Sequence, residues 1–213
     1  MKLKQNQISR KAFWEDRYTE EIYAYGKEPN AYFKQIIDTL TPGKILLAAE
    51  GEGRNAVYAA TLGWEVYAYD FSEMAHKKAI QLATEKSVSI QYQIASLSDL
   101  EFPDQFFDAI GLIYVHFPDS IRFENHNRLS KLLKNGGHVI LEAFSLNHPK
   151  YQLQNPAVGG PKMETQLYSE GKLKNDFRQL TFTELNEKKI HLSEGKYHNG
   201  ITTVIRMFAK KII

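Results

Sequence analysis

The sequence predicts an α/β fold: a doubly wound, mostly parallel seven-stranded sheet that ends in an antiparallel β-hairpin. Three observations carry this. Short apolar runs bounded by glycine alternate with helical patterns from Ile45 to Phe144, the mark of strands joined by crossover helices. The run from Asp108 to Tyr114 is almost continuously apolar, as in a strand covered on both faces. After Pro161 the alternation stops. Two strand-like runs follow, Lys188 to Leu192 and Ile201 to Ala209, joined by Ser193 to Gly200.

The elements follow in order. A short helix is expected over Ala12 to Glu21 and a second from about Pro29, whose fixed φ suits a first helical turn. Tyr32, Phe33, Ile36, Ile37 and Leu40 share one face of it, and Thr41-Pro42-Gly43 breaks it. Ile45 to Ala49 is too brief for a helix and reads as a buried strand. Gly51-Glu52-Gly53 then turns the chain into a helix over Arg54 to Leu62, stopped by Gly63. Trp64 to Tyr69 is a strand that ends in Asp70. Ser72 is the expected N-cap of a helix with Ala75, Ala79, Leu82 and Ala83 inward. Ser89 to Ile94 and Asp108 to Tyr114 are further strands. A helix near Ser120 to Leu133 ends at Asn135-Gly136-Gly137, before a strand from His138 to Phe144. Ser145 to Pro161, with Pro149, Pro156 and Gly159-Gly160-Pro161, reads as an irregular lid or binding loop.

Composition bounds the function. The chain has 213 residues, which suits one domain over residues 1–213. Its 27 basic and 25 acidic residues leave a net charge of +2, with no long-range pull toward polyanions. With no basic arm and no aromatic-basic stripe, no nucleic-acid partner is expected. The longest apolar run, about Ala109 to Val115, is far short of the ~20 residues that span a bilayer. The N-terminal stretch has no apolar core of the kind a secretory signal carries, so no membrane association and a cytoplasmic location are expected, as monomer or homodimer. Cysteine is absent. That excludes disulfides, thiolate metal sites and a cysteine nucleophile. The seven histidines lack a short ligand spacing, and no metal is expected.

In an open α/β sheet, ligands bind beyond the carboxyl ends of the strands where strand order reverses. That points to Glu50 to Arg54, Asp70 to Ser72, Ala95 to Ser98 and Tyr114 to Pro118. The first reads Gly51-x-Gly53-x-x-Ala56, a loop whose glycines let a ligand approach backbone at a helix N-terminus. Asp70 lies 19 residues after Gly51, the spacing of an acid that accepts from two vicinal ribose hydroxyls; otherwise it is a turn or capping aspartate. Glu50 and Glu52 flank Gly51. A pyrophosphate there would meet two carboxylates with only Arg54 to compensate. A cofactor bearing a sulfonium and an ammonium would be attracted, and S-adenosylmethionine has that charge pattern. The alternative is that both glutamates point into solvent.

The run Ile45-Leu46-Leu47-Ala48-Ala49-Glu50-Gly51-Glu52-Gly53-Arg54-Asn55-Ala56 resembles the first motif of class I S-adenosylmethionine-dependent methyltransferases, with their Rossmann-like fold. Further stretches resemble the tellurite-resistance and thiopurine methyltransferase branch. These are Trp14-Glu15-Asp16-Arg17-Tyr18, Tyr25-Gly26-Lys27-Glu28-Pro29-Asn30, His116-Phe117-Pro118, Leu133-Lys134-Asn135-Gly136-Gly137 and Gly159-Gly160-Pro161. The resemblance runs from about Trp14 to Ile205. It implies that Gly51 and Gly53 lie beside the methionyl part of the cofactor and Asp70 holds the ribose. Phe71 would lie against adenine, Ser96 and Leu97 would flank its edge and face, and Tyr114 would lie under the methyl group. Glu50 would take the ammonium. Residues 1–40 would form a helical cap in which Arg17 and Tyr25 close over the site, and 145–162 an active-site loop. Three positions depart from the pattern: Leu47 stands where an acid is common, Ala49 where a glycine is, and Ser96 where an aspartate is.

Methyl transfer asks mainly for alignment and exclusion of water, with a base where the nucleophile is protonated. His116, just after the fourth strand, is the candidate base, or else a histidine packed between Val115 and Phe117. Lys162 is a candidate for an anionic substrate, and His198 is a candidate substrate contact or a turn residue. The acceptor expected is a small molecule, and the resemblance points to a chalcogen oxyanion or a thiol. Two other classes fit part of the pattern. One is an NAD(P)-dependent reductase, for which Tyr168 and Lys172 imitate a catalytic pair. The other is a non-catalytic regulator that binds the cofactor.

Overall fold

The computed structural model describes residues 2–212. Its seven-stranded sheet comprises β1 (Lys44–Ala48), β2 (Glu65–Asp70), β3 (Gln91–Ile94), β4 (Phe107–Ile113), β5 (Leu133–Phe144), β6 (Leu180–Glu194) and β7 (His198–Lys211). The order is β3-β2-β1-β4-β5-β7-β6. β1 to β5 are parallel, and β7 runs antiparallel between β5 and β6. Strand order reverses between β1 and β4, so their carboxyl ends open the crevice in which ligands of such sheets bind.

The helices are α1 (Lys2–Thr19), α2 (Ala31–Ile37), α3 (Arg54–Thr61), α4 (Glu73–Glu85), α5 (Asp119–Leu132), α6 (Pro149–Gln154) and α7 (Glu170–Asp176). Side chains alternate across a strand, and β1 shows the result. Ile45 and Leu47 join the core under α2, α3 and α4, while Leu46 joins the core shared with α5 and α7. Each such side chain, fully buried, contributes about 1.5–3 kcal/mol. Leu47 is one of these core residues, 0% exposed. A Cβ on Gly111 of β4 would stand within 2.3 Å of its Cδ2. Leu47 therefore fills space that β4 leaves by having glycine at that register.

Several elements differ from expectation, each for a physical reason. α2 starts after Asn30, whose side chain accepts from the Phe33 N–H; Pro29 precedes this cap and is not in the first turn. Gly136 (φ +80°) does not end α5. It belongs to a bulge where the β4–β5 register jumps from Phe107↔Leu133 to Ala109↔His138. The stretch expected to be irregular holds α6 and a 3-10 turn at Pro156–Val158, and α7 follows it. His148 ties this segment to β7. Its Nε2 donates to the Gly159 carbonyl (3.0 Å) and its Nδ1 accepts from the Thr202 hydroxyl (2.6 Å). Burial pushes the imidazole down to about 4, so it holds these bonds as a neutral ring. The closing hairpin is also longer than expected, because β6 and β7 pair as far as Glu194↔His198. His198 is the first residue of a strand, not part of a turn.

Candidate active site

Beyond β1 the chain enters the glycine loop. Ala49 takes a left-handed backbone (φ +46°) where a glycine would carry no strain, and Gly51 (φ +62°) and Gly53 (φ +86°) follow. A Cβ on Gly53 would lie 2.6 Å from the Ala79 Cβ of α4, so this glycine lets α3 and α4 approach. Gly53→Ala combines that clash with a strained φ. It should lower stability by about 1–3 kcal/mol, seen as a shift of the urea midpoint at unchanged slope.

Both glutamates of the loop are engaged by protein donors. Glu50 turns back onto α3, where its Oε1 accepts from the N–H groups of Asn55 and Ala56, both at 2.8 Å. Burial pushes its carboxyl up to about 7, against those donors and Arg54. Glu52, 4% exposed, accepts from the Ala24 N–H (2.8 Å) and from Lys78 (2.8 Å). It thereby fastens the segment that follows α1. Glu52 is buried and Glu50 half-buried, and both carboxylates are engaged by protein donors.

Asp70 ends β2 and is 5% exposed. Its Oδ2 accepts from the Gly51 N–H (3.2 Å) and its Oδ1 from the Ser72 N–H (3.0 Å). Burial outweighs these donors and pushes the carboxyl up to about 6. Phe71, next in the chain, is half-buried. Ser96 is exposed and donates to Asp99, capping the 3-10 turn Leu97–Asp99. Leu97 is buried in the core. Asp99 accepts from the Ser96 N–H and hydroxyl, the reciprocal arrangement of a capping box.

The second half of the site lies beyond β4 and β5. Tyr114 (φ +55°) follows β4. Its ring lies 4.8 Å from Phe144 and 4.4 Å from His198, and Tyr25 lies 4.5 Å from His198 on another side. Beneath the rings runs a buried ionic network. Glu142 accepts from Tyr114 (2.9 Å), Asn30 (2.7 Å) and Arg206 (2.7 Å). Glu194 accepts from Asn30 (2.9 Å), Arg54 (2.9 Å) and His198 (3.2 Å). Burial alone would raise Glu194; Arg54 and His198 more than offset it and hold its carboxyl at about 2. Arg54 also donates to the Tyr25 carbonyl (3.1 Å). The sequence reading missed Glu142, Asn30, Phe144 and Glu194. Only Glu194 carried a signal, an acid four residues before His198.

Around this cluster of rings closes a strap, residues 14–30. Arg17 donates to the Tyr25 hydroxyl (3.3 Å) and stacks on Tyr197 at 3.5 Å. Trp14 stacks on Tyr18, whose hydroxyl would be 2.8 Å from a Cβ on Gly51. Glu15 accepts from the N–H groups of Glu73 and Met74, at the N-terminus of α4. Arg17, Tyr25 and His198 are thus brought together. Lys162 is exposed and is not among their contacts.

Two expectations meet a different geometry. His116 faces the Gln166 carbonyl with Nδ1 (2.7 Å), and its Nε2 accepts from the Phe144 N–H (3.3 Å). Both ring nitrogens bind backbone, so the ring fastens β5 to the segment before α7 and is not set up to take a proton. Tyr168 is wholly buried, and its hydroxyl accepts from the Phe117 N–H (3.0 Å). It is a core residue, which removes the reductase pair Tyr168 and Lys172.

Residues 45–137 match the family model described as "Methyltransferase domain". Over those residues the chain is similar to methyltransferase domains. The methyl donor of that family is S-adenosylmethionine, as the sequence led us to expect. No curated protein matches the chain by sequence. Among solved structures, one from work on the conversion of a disulfide bond into a thioacetal group during echinomycin biosynthesis superimposes with a TM-score of 0.77. It has 15% identity, with 97% of this chain and 91% of that one covered. TehB from Haemophilus influenzae gives 0.67 at 15% identity, over 95% of this chain and 67% of that one. The Burkholderia thailandensis 1,6-didemethyltoxoflavin-N1-methyltransferase, solved with S-adenosylhomocysteine, gives 0.62 at 17% identity, over 99% and 88%. These likenesses establish a shared fold across the matched residues and the strands that follow them. No described helix is long and apolar enough to cross a membrane.

The residues of this stretch fit S-adenosylmethionine on two observations. Asp70 is a buried carboxylate that accepts from the Gly51 and Ser72 N–H groups at the end of β2, and vicinal hydroxyls would add donors against the burial that raises it. The α3 N-terminus, which in dinucleotide sites receives a pyrophosphate, is already filled by the Glu50 carboxylate. Two of the donors a phosphate would use there, the Asn55 and Ala56 N–H groups, are engaged, and a cation would have an acid beside it.

Proposed function

We propose that the chain transfers a methyl group from S-adenosylmethionine to a small molecule in the cytoplasm. Its nearest kin would be the tellurite-resistance and thiopurine methyltransferase branch, with a chalcogen oxyanion or a thiol as acceptor. The observation that carries the reading is Glu50 in the N–H cradle of α3, where it occupies donors that a phosphate would use. In this reading Asp70 holds the ribose, Phe71 and Leu97 support the adenine with Ser96 at its edge, and Gly51 and Gly53 border the methionyl part. Arg54 acts at one remove, by holding Tyr25 and Glu194. When bound, the cofactor supplies a methyl group activated by its sulfonium. The chain's own work is to align the acceptor and keep out water. Tyr25, Tyr114, Phe144 and His198 wall the acceptor, with Arg17 and residues 1–40 as its cap and Lys162 at its rim. The His198 ring packs directly against the other three, 4.4–5.3 Å between centroids, so this wall is a set of rings in mutual contact.

Titration calorimetry with S-adenosylmethionine, S-adenosylhomocysteine and NADH tests this. Micromolar binding of the first two and none of the third is expected. Binding of NADH alone would sink the reading.

A further inference from the structure

We infer that His198, oriented by Glu194, is the general base of the acceptor half, so that the acceptor is a protic nucleophile bearing S–H, N–H or O–H. The inference rests on the methyl-transfer reading above. Four inward-facing histidines can be compared. His116 and His148 have both nitrogens in hydrogen bonds. His126 pairs with Asp176, and its Nε2 is sealed in the core without a partner. His198 differs. Its Nδ1 lies 3.2 Å from Glu194 Oε2, while Nε2 makes no hydrogen bond among the described residues.

A carboxylate only accepts, so the Nδ1 carries the proton and Nε2 keeps its lone pair. Glu194 is the group that fixes this tautomer, and Arg54 on α3 keeps Glu194 ionised. The ring is in contact with Tyr114, the residue that follows β4 at the switch point of the sheet. The charged and titratable groups that face it are Glu194 on β6, Arg54 on α3, Arg17 on α1, Tyr25 on the strap, Tyr114 after β4 and His148 before α6. Burial, with Arg54 and Arg17, lowers its pKa against the pull of Glu194; the ring is neutral, and able to accept a proton, at pH 7.

The step balances. Nε2 takes the proton of X–H while the X electron pair forms a bond to the methyl carbon. The carbon–sulfur pair returns to sulfur, and the imidazolium, held beside Glu194, passes its proton to water. An oxyanion that attacks through a lone pair has no proton to give, so of the two acceptor classes above this arrangement serves the thiol.

The test compares wild type, His198→Asn and Glu194→Gln in three measurements. Calorimetry with S-adenosylhomocysteine should give affinities for wild type and His198→Asn within threefold. Nitrogen-15 spectra of the complex should show the Nδ1–H tautomer in wild type and its loss in Glu194→Gln. Labelled methyl transfer to phenylmethanethiol, catechol and aniline should detect at least one acceptor, with the rate falling about 10²–10⁴-fold in His198→Asn and its acidic limb disappearing from the pH profile. An Nε2–H tautomer, an unchanged rate or limb in His198→Asn, or transfer to none of the three probes would overturn the base. Failure of wild type to bind S-adenosylhomocysteine would instead remove the reading beneath it.

Discussion

Asp70→Asn should lose two to four orders of magnitude in affinity for S-adenosylhomocysteine while keeping its fold. Two ribose hydroxyls donating to one ionised acceptor are worth about 1.5–3 kcal/mol each, and the amide removes both the charge and one acceptor. The pH dependence follows from the raised carboxyl, at about 6. The ligand binds the ionised form, so wild-type affinity should fall about tenfold per pH unit below 6 and level off above it. The variant should lack that limb. The same shift acts on stability with opposite sign. A carboxyl whose folded pKa exceeds its unfolded value binds more protons folded than unfolded, so stability falls as pH rises from about 4 to about 6. Glu50, raised to about 7, adds to this between about 4.5 and 7. Thermal melts of the free protein should decline across pH 4–7 through these two groups, and saturating S-adenosylhomocysteine should reduce the decline. A flat affinity profile in wild type would dismiss Asp70 as the ribose ligand.

Arg54→Met should lower the melting temperature by about 6–20 °C. Removing one member of a buried ion pair costs about 3–5 kcal/mol because the other charge is left behind, and a domain of this size shifts about 2–4 °C per kcal/mol. Glu194 would retain only Asn30 and His198, and the strap would lose its anchor at the Tyr25 carbonyl. The double variant Arg54→Met, Glu194→Leu should recover part of the loss, because no unpaired charge remains. A single variant within about 1 kcal/mol of wild type by urea titration would mean the network is solvated. Glu194 also sets an acid limit. Its depressed carboxyl stabilises the fold above about pH 4.5, and that contribution is lost as pH falls toward 2.

The parts of this molecule that could be read from sequence are those fixed locally. Ser72 as the cap of α4, the alternation from β1 to β5 and Asp70 at the end of β2 all depend on neighbours a few residues away or on strand period. What escaped depends on distant partners. Asn30 stood in the sequence only as the end of the Tyr25-Gly26-Lys27-Glu28-Pro29-Asn30 stretch, but it caps α2 and joins two carboxylates, one 112 and the other 164 residues away. His116 looked like a base because of its position after β4, and only the Gln166 carbonyl and the Phe144 N–H reveal it as a fastener. Glu50 was expected to face a ligand's ammonium, yet the backbone donors of α3 lie closer to hand. Local hydrogen bonding won where sequence reasoning had assumed a ligand would.

The sheet order has a consequence for how the chain is made. β7 follows β6 in sequence but lies inside it, between β5 and β6. While it is synthesised, β5 has a bare edge, and β6 has no partner in the sheet until β7 emerges. Residues up to Glu194 can therefore collapse around the first five strands but cannot seal them. An open, apolar edge of this kind is a template for pairing with another chain. The interval between completion of β6 and arrival of β7 is when a nascent copy is most exposed to self-association, and any truncation within β7 would make that interval permanent.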